Sequence, residues 1–228
     1  MKFVLFFAIH FFIFFNNDSF DKSYHTRMKK YSYLALGDSY TIGESVPAAE
    51  NFPNQTAQLL RNAGFDFEAP EIIATTGWTT DELQNAILKH KLQATFDVVT
   101  LLIGVNNQYR ERAVENYKPE FELLLQQAIH FAGNNPHHVI VLSIPDWGVT
   151  PFAVDRNRNR IAKEIDAFNA VNKSISEKYE VHYLDITPGT REAAHDRSLI
   201  ATDGLHPSGK EYSLWATELE KVIATLLK

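Results

Sequence analysis

From residue 31 onward, short runs rich in β-branched and aromatic residues alternate with helix-length amphipathic stretches, which is the spacing of βα units around a parallel sheet. Strands are predicted at Tyr31–Leu36, Glu71–Thr75, Val98–Val105, His138–Ile144 and Val181–Ile186. The runs VVTLLIGV and VIVLSI are apolar on both faces, as a sheet covered on both sides requires. Helices are predicted over 51–63, 79–89, 114–132, 158–179 and 207–227. In the fourth, Ile161, Ile165, Phe168, Ile175 and Tyr179 recur at helical spacing and form one buried stripe. Right-handed crossovers then make the economical architecture an α/β fold, a three-layer α/β/α sandwich around a five-stranded parallel, doubly wound sheet. No Gly/Ser linker, repeat or low-complexity tract interrupts residues 28–228, so they read as a single domain. The longest irregular stretch is PDWGVTPFAVDRNRN at 145–159.

Composition narrows the chemistry. With 22 Lys+Arg against 28 Asp+Glu the net charge is −6, which offers no overall attraction to nucleic acid or acidic lipid. The absence of cysteine removes disulfides, thiolate metal sites and a thiol nucleophile, so covalent catalysis must use oxygen or nitrogen. No metal or other cofactor is expected. Residues 2–15, Lys2 followed by FVLFFAIHFFIFF, form an apolar run of signal-peptide length, short of the roughly 18 residues of a spanning helix. Integral membrane association is not expected. Polar NNDSFDKSYHTR follows the run in place of a small-x-small cleavage pattern. Residues 1–27 therefore carry two readings. As a signal peptide they make the domain exported; as a non-native leader before a start at Met28 they leave it cytoplasmic.

Open α/β sheets bind ligands beyond the carboxyl ends of their strands, near the point where strand order reverses. The first predicted strand runs into Gly37-Asp38-Ser39-Tyr40, the second into Thr76-Gly77-Trp78 and the third into Gly104-Val105-Asn106-Asn107. The last is followed by Asp203-Gly204-Leu205-His206-Pro207. A serine nucleophile needs a base for its proton, an acceptor that orients the base, and donors for the developing oxyanion. The four segments supply each part once. Ser39 is the candidate nucleophile, His206 the base and then the acid, and Asp203, three residues earlier, the carboxylate within reach of the other imidazole nitrogen. The Ser39 and Gly77 N–H groups and the Asn106 side-chain amide are candidate oxyanion donors. Each motif alone is ordinary turn or cap chemistry; their succession at consecutive strand exits is what argues for a site.

These residues match a family. GDSYTIG at 37–43, TTGW at 75–78, GVNN at 104–107 and DGLHP at 203–207 resemble the SGNH (GDSL-type) hydrolases, over nearly all of 31–228. The resemblance implies a flavodoxin-like sandwich, with Ser39, Gly77, Asn106 and His206 as the signature residues and Asp203 as the triad acid. Two departures stand out: GDSY replaces GDSL, and Asn107 follows Asn106 where family members usually carry Asp. Neither removes a catalytic group.

Other motifs fall away. The run from Gly204 to Gly209-Lys210 has the spacing of a phosphate-binding loop, but Glu211 occupies the magnesium-binding hydroxyl position and Pro207 has no N–H. There is no G-x-S-x-G elbow and no H-E-x-x-H. His137-His138 reads as a solvated turn, and His90, His130, His182 and His195 as surface residues. The expected partner is a small-molecule carboxylic ester with a short to medium acyl group, held among Tyr40, Trp78, Asn107, Pro145, Trp147 and Leu205, with Phe152 nearby. Two alternatives remain: an acyltransferase that resolves the same acyl-enzyme with a sugar hydroxyl, and a non-catalytic flavodoxin-like binding module.

Overall fold

The computed structural model describes residue 1 and residues 29–228; residues 2–28, and with them the leader readings, lie outside the described residues. Lys30–Tyr31 (β1) and Asp66–Phe67 (β3) form a short parallel pair. The main sheet comprises Tyr33–Gly37 (β2), Glu71–Ala74 (β4), Val98–Leu102 (β5), Val139–Leu142 (β6) and His182–Leu184 (β7). All its pairings are parallel, in the order β4-β2-β5-β6-β7. Every residue of β2, β5 and β6 is buried, which is why these strands read as continuous apolar runs, whereas the edge strands β4 and β7 are partly open.

The helices are Ser39–Ile42 (α1), Phe52–Asn62 (α2), Thr80–Ile87 (α3), Val105–Tyr109 (α4), Val114–Phe131 (α5), Arg158–Lys178 (α6), Thr187–Arg191 (α7) and Gly209–Leu226 (α8). The chain steps from β2 outward to β4 through α2, then returns past β2 to β5 and continues through α5 and α6. Right-handed crossovers in opposite directions put α2 on one face of the sheet and α3, α5 and α6 on the other. Consistent with that, α2 packs on α8, where Phe52 meets the rings of Tyr212 and Trp215 at 6.4 and 6.0 Å, while α5 packs against α3 and α6. The five predicted strands and five long helices are thus all present, and the order has the flavodoxin-like form. No helix among the described residues is long and apolar enough to cross a membrane.

The differences are local. The third strand ends at Leu102 rather than Val105, because Gly104 turns the chain with φ +129° and Val105 already begins α4. Ile103 and Val105 stay buried without belonging to the ladder, so apolarity alone overextends the strand. His182 is half-buried rather than a surface residue, and its Nε2 is buried with no hydrogen-bond partner among the described residues. Burial, with the neighbouring His137, holds this imidazole below its ordinary value.

A Cβ at Gly104 would lie 2.6 Å from the Tyr117 hydroxyl oxygen. That hydroxyl is fixed, within reach of the Ile103 carbonyl at 3.0 Å and Asn172 Oδ1 at 2.6 Å. Gly104→Ala therefore combines a forced backbone with a clash against an immobile ring, and is expected to cost about 2–4 kcal/mol in urea unfolding.

Candidate active site

The reversal of strand order falls between β2 and β5, whose registers run from Tyr33 opposite Val98 to Gly37 opposite Leu102. Both strands end at the same level, so the segments that leave them are neighbours at the place where such folds bind ligands. One carries Ser39 and the other Asn106.

Ser39 is the first residue of α1. Asp38 caps the helix, its carboxylate accepting from the Tyr40 N–H at 3.0 Å. The first N–H of a helix has no intrahelical acceptor, and among the described residues the Ser39 N–H has no acceptor at all. Asp38 is fully buried, and burial pushes its carboxyl up to about 7 against the lowering effect of bonds from the Tyr40 N–H and Asn106.

Gly77 follows β4 in a turn closed by the Trp78 N–H on the Thr75 carbonyl, with φ +85°. Arg110, paired with Glu82, donates to the Gly77 carbonyl at 2.6 Å and so fixes that residue's orientation. Its own N–H has no acceptor among the described residues. Asn106, one residue into α4, donates from Nδ2 to the Trp78 carbonyl at 3.0 Å and lies 3.4 Å from Asp38 Oδ2. The strand-exit segments carrying Ser39, Gly77 and Asn106 are therefore bonded to one another.

His206 comes from the loop between Leu199 and α8. Asp203 organises that loop: Oδ1 accepts from the N–H groups of Leu205 and His206 at 2.9 and 3.0 Å, and Oδ2 accepts from His206 Nδ1 at 2.6 Å and from the Ser45 hydroxyl at 2.8 Å. Burial works to raise this carboxyl, but the bonds from the His206 ring, the two N–H groups and Ser45 outweigh it and leave it at about 2. A carboxylate only accepts, so Nδ1 carries the proton and Nε2 of the neutral ring is free to take one. The Tyr40 ring stands 5.0 Å from the imidazole.

Ser39, Asn106 and His206 line one cleft of about 140 Å³, together with Tyr40, Val105, Tyr109, Trp147, Phe152 and Leu205. Tyr109, Trp147 and Phe152 form a ring cluster with centroids 5.4 to 6.2 Å apart. The segment 145–159 is tied to the site at two points: Trp147 Nε1 donates to Gln108 at 2.8 Å, and the Phe152 N–H donates to the Gly204 carbonyl at 3.0 Å.

Among the residues expected to wall the acyl site, Tyr40, Trp147 and Leu205 line the cleft. Pro145 lines a smaller adjoining cavity of about 20 Å³. Asn107 is a correction: it is fully buried, with its amide on Thr80, accepting from the N–H at 3.1 Å and donating to the hydroxyl at 2.7 Å. One helical step turns it about 100° away from Asn106 and toward α3. Trp78 is half-buried, with its ring packed on the core and outside the lining of this cleft, while its carbonyl accepts from Asn106. Tyr109 lines the cleft without being among the residues expected there; it stands three residues after Asn106 and so returns to nearly the same face of α4.

A family profile described as the GDSL-like Lipase/Acylhydrolase family matches residues 35–214. The chain belongs to that family. A search of curated proteins found no significant match. Among solved structures it is similar to a psychrotrophic esterase from Pseudoalteromonas sp., 18% identical over 86% of this chain and 98% of that one, with a TM-score of 0.64. It is also similar to a lipase/acylhydrolase from Enterococcus faecalis, 21% identical over 85% and 95%, TM-score 0.63. A third is an acetylxylan esterase from Geobacillus stearothermophilus, 17% identical over 85% and 94%, TM-score 0.65. At these identities the likeness shows the shared fold. Family membership makes the GDSL-like chain an ester-bond hydrolase, and small-molecule esters its class of substrate.

The buried carboxyl of Asp38 binds its proton more tightly in the folded chain than in the unfolded one, where its ordinary value is 3.8. Its contribution to stability is complete below pH 4 and is lost as the pH rises toward 7. Asp38→Asn keeps a capping oxygen and removes the charge, so the thermal midpoint of the variant is expected to fall less than that of the parent between pH 4 and 7.

Proposed function

We propose that the protein is a serine esterase that hydrolyses carboxylic esters of short acyl chains through an acyl-enzyme, with Ser39 as nucleophile, His206 as base and acid, and Asp203 as the orienting carboxylate. One observation supports this above others: Ser39, Asn106 and His206 line one small cleft, and His206 Nδ1 lies 2.6 Å from Asp203 Oδ2. Ser39 Oγ attacks the carbonyl carbon as its proton passes to His206 Nε2. The charge that develops on the carbonyl oxygen is met by the N–H groups of Ser39 and Gly77 and by the Asn106 amide, which exchanges its bond to the Trp78 carbonyl for one to the substrate. The carbon–oxygen bond to the alcohol then breaks, and the alkoxide leaves with the proton from Nε2. Water, activated by the same imidazole, returns the acyl group as a carboxylic acid and frees Ser39.

Cleft size supports a short acyl group. At about 140 Å³ it falls well below the roughly 300–1,000 Å³ of sites for larger ligands, and the rings of Tyr109, Trp147 and Phe152 line it. A series of nitrophenyl esters is expected to peak at about two to four acyl carbons, the scale set by such a pocket. A maximum at long chains would overturn the assignment of this cleft as the acyl site. Adding an acceptor sugar and following the acylated product by mass spectrometry separates hydrolysis from acyl transfer; free acid as the dominant product is expected.

An organophosphonate is expected to label Ser39 and no other serine. Ser39→Ala and His206→Ala should each lower kcat by several orders of magnitude, about 10⁶-fold, and Asn106→Ala by roughly 10²–10³. Near-native turnover in Ser39→Ala would refute the mechanism.

A further inference from the structure

The loop that leaves α1 reaches both flanks of the cleft with two consecutive side chains. Glu44 accepts a hydrogen bond from the Thr76 hydroxyl, next to Gly77, and the Ser45 hydroxyl donates to Asp203 Oδ2 at 2.8 Å. Ser45 does this from a left-handed backbone, φ +67°, which a residue with a Cβ rarely adopts. The turn around it is closed by the N–H groups of Gly43 and Glu44 on the Ser39 carbonyl and by the Val46 N–H on the Gly43 carbonyl. Those bonds use main-chain atoms alone and would serve a glycine at position 45 equally well. What the serine adds is the hydroxyl on Asp203.

That hydroxyl meets a carboxylate that needs it. Oδ1 is fixed by two N–H groups of its own loop, but Oδ2, the oxygen that receives His206 Nδ1, has Ser45 as its second partner. The Asp203 side chain is 28% exposed, so water competes for any lone pair left open and the carboxylate plane is free to turn about Oδ1. Ser45 occupies that lone pair from a loop 158 residues away in sequence and joined directly to the nucleophile helix.

We propose that Ser45 is a positioning residue for the esterase reaction: its hydroxyl holds Asp203 Oδ2 on His206 Nδ1 and so ties the triad acid to the loop that follows the nucleophile. The proposal rests on the Ser39–His206–Asp203 reading above. The test is a set of four variants, Ser45→Ala, Ser45→Gly, Asp203→Asn and Ser45→Ala with Asp203→Asn, assayed on a short-chain nitrophenyl ester. Ser45→Ala and Ser45→Gly are both expected to lower kcat roughly tenfold, the size of one hydrogen bond to a charged group, with KM within about twofold. The downfield proton resonance of His206 Nδ1 should shift in both. In the Asp203→Asn background the Ser45 change should cost less than about twofold, since the two act through one interaction.

Three results would overturn it. One is unchanged kcat in both single variants. Another is full activity in Ser45→Gly with loss only in Ser45→Ala, which would assign the effect to backbone conformation. The third is an undiminished tenfold loss on top of Asp203→Asn. Full turnover in Asp203→Asn alone is distinguishable from all of these: it removes the triad reading itself, and the role of Ser45 with it.

Discussion

The parallel pairing of β2 with β5 is the constraint on which the rest of the site depends. Because Gly37 lies opposite Leu102, two chain segments separated by 65 residues leave the sheet at the same height and side by side. Strand order reverses at this seam, so no crossover helix covers it, and the gap stays open to a ligand. Ser39 sits two residues beyond one strand and Asn106 four beyond the other. Burial of every residue in both strands makes the register hard to slip, since a shift by one residue would exchange the two covered faces.

On that frame the loops of the candidate site are held by polar bonds that run between them. Asn106 reaches the Trp78 carbonyl, Arg110 reaches the Gly77 carbonyl, and Asp38 lies between Tyr40 and Asn106. Asp203 gathers four donors around one carboxylate, and the 145–159 segment is bonded to the same loop through Phe152 and Gly204. Each bond is modest by itself, but together they restrict side chains before substrate arrives, and preorganised donors cost nothing further when charge develops. Asp38 carries the opposite sign of energy: a carboxyl buried where its charged form is disfavoured, kept at the point where the helix that begins at Ser39 is capped.

Much of this was legible beforehand. Strands such as VVTLL and VIVL announce themselves because both faces are covered, and long helices such as Arg158–Lys178 show an apolar stripe. The candidate positions Ser39, Gly77 and Asn106 are legible because each lies within four residues of a strand end, where backbone direction limits what a short side chain can reach, whereas Asp203 and His206, in the loop before α8, are legible from their spacing of three residues. The pocket wall was less so. Asn107 reads as a wall because it adjoins Asn106, yet a helix turns neighbours apart and brings Tyr109, three residues on, to that side instead. The burial of His182 is not legible in the sequence, because an edge strand leaves no alternation strong enough to separate covered from open positions.

By itself, then, the amino-acid order determined the class of fold, the succession of its elements and the candidate groups for acyl chemistry, because periodicity and turn motifs are local properties of the chain. Tertiary structure alone decided which oxygen of Asp203 meets His206, that Ser45 reaches the same oxygen, and which three clustered rings line the cleft. Those contacts join residues as many as 158 positions apart, and their existence depends on loop paths and side-chain rotations within a few ångströms, which no sequence spacing encodes.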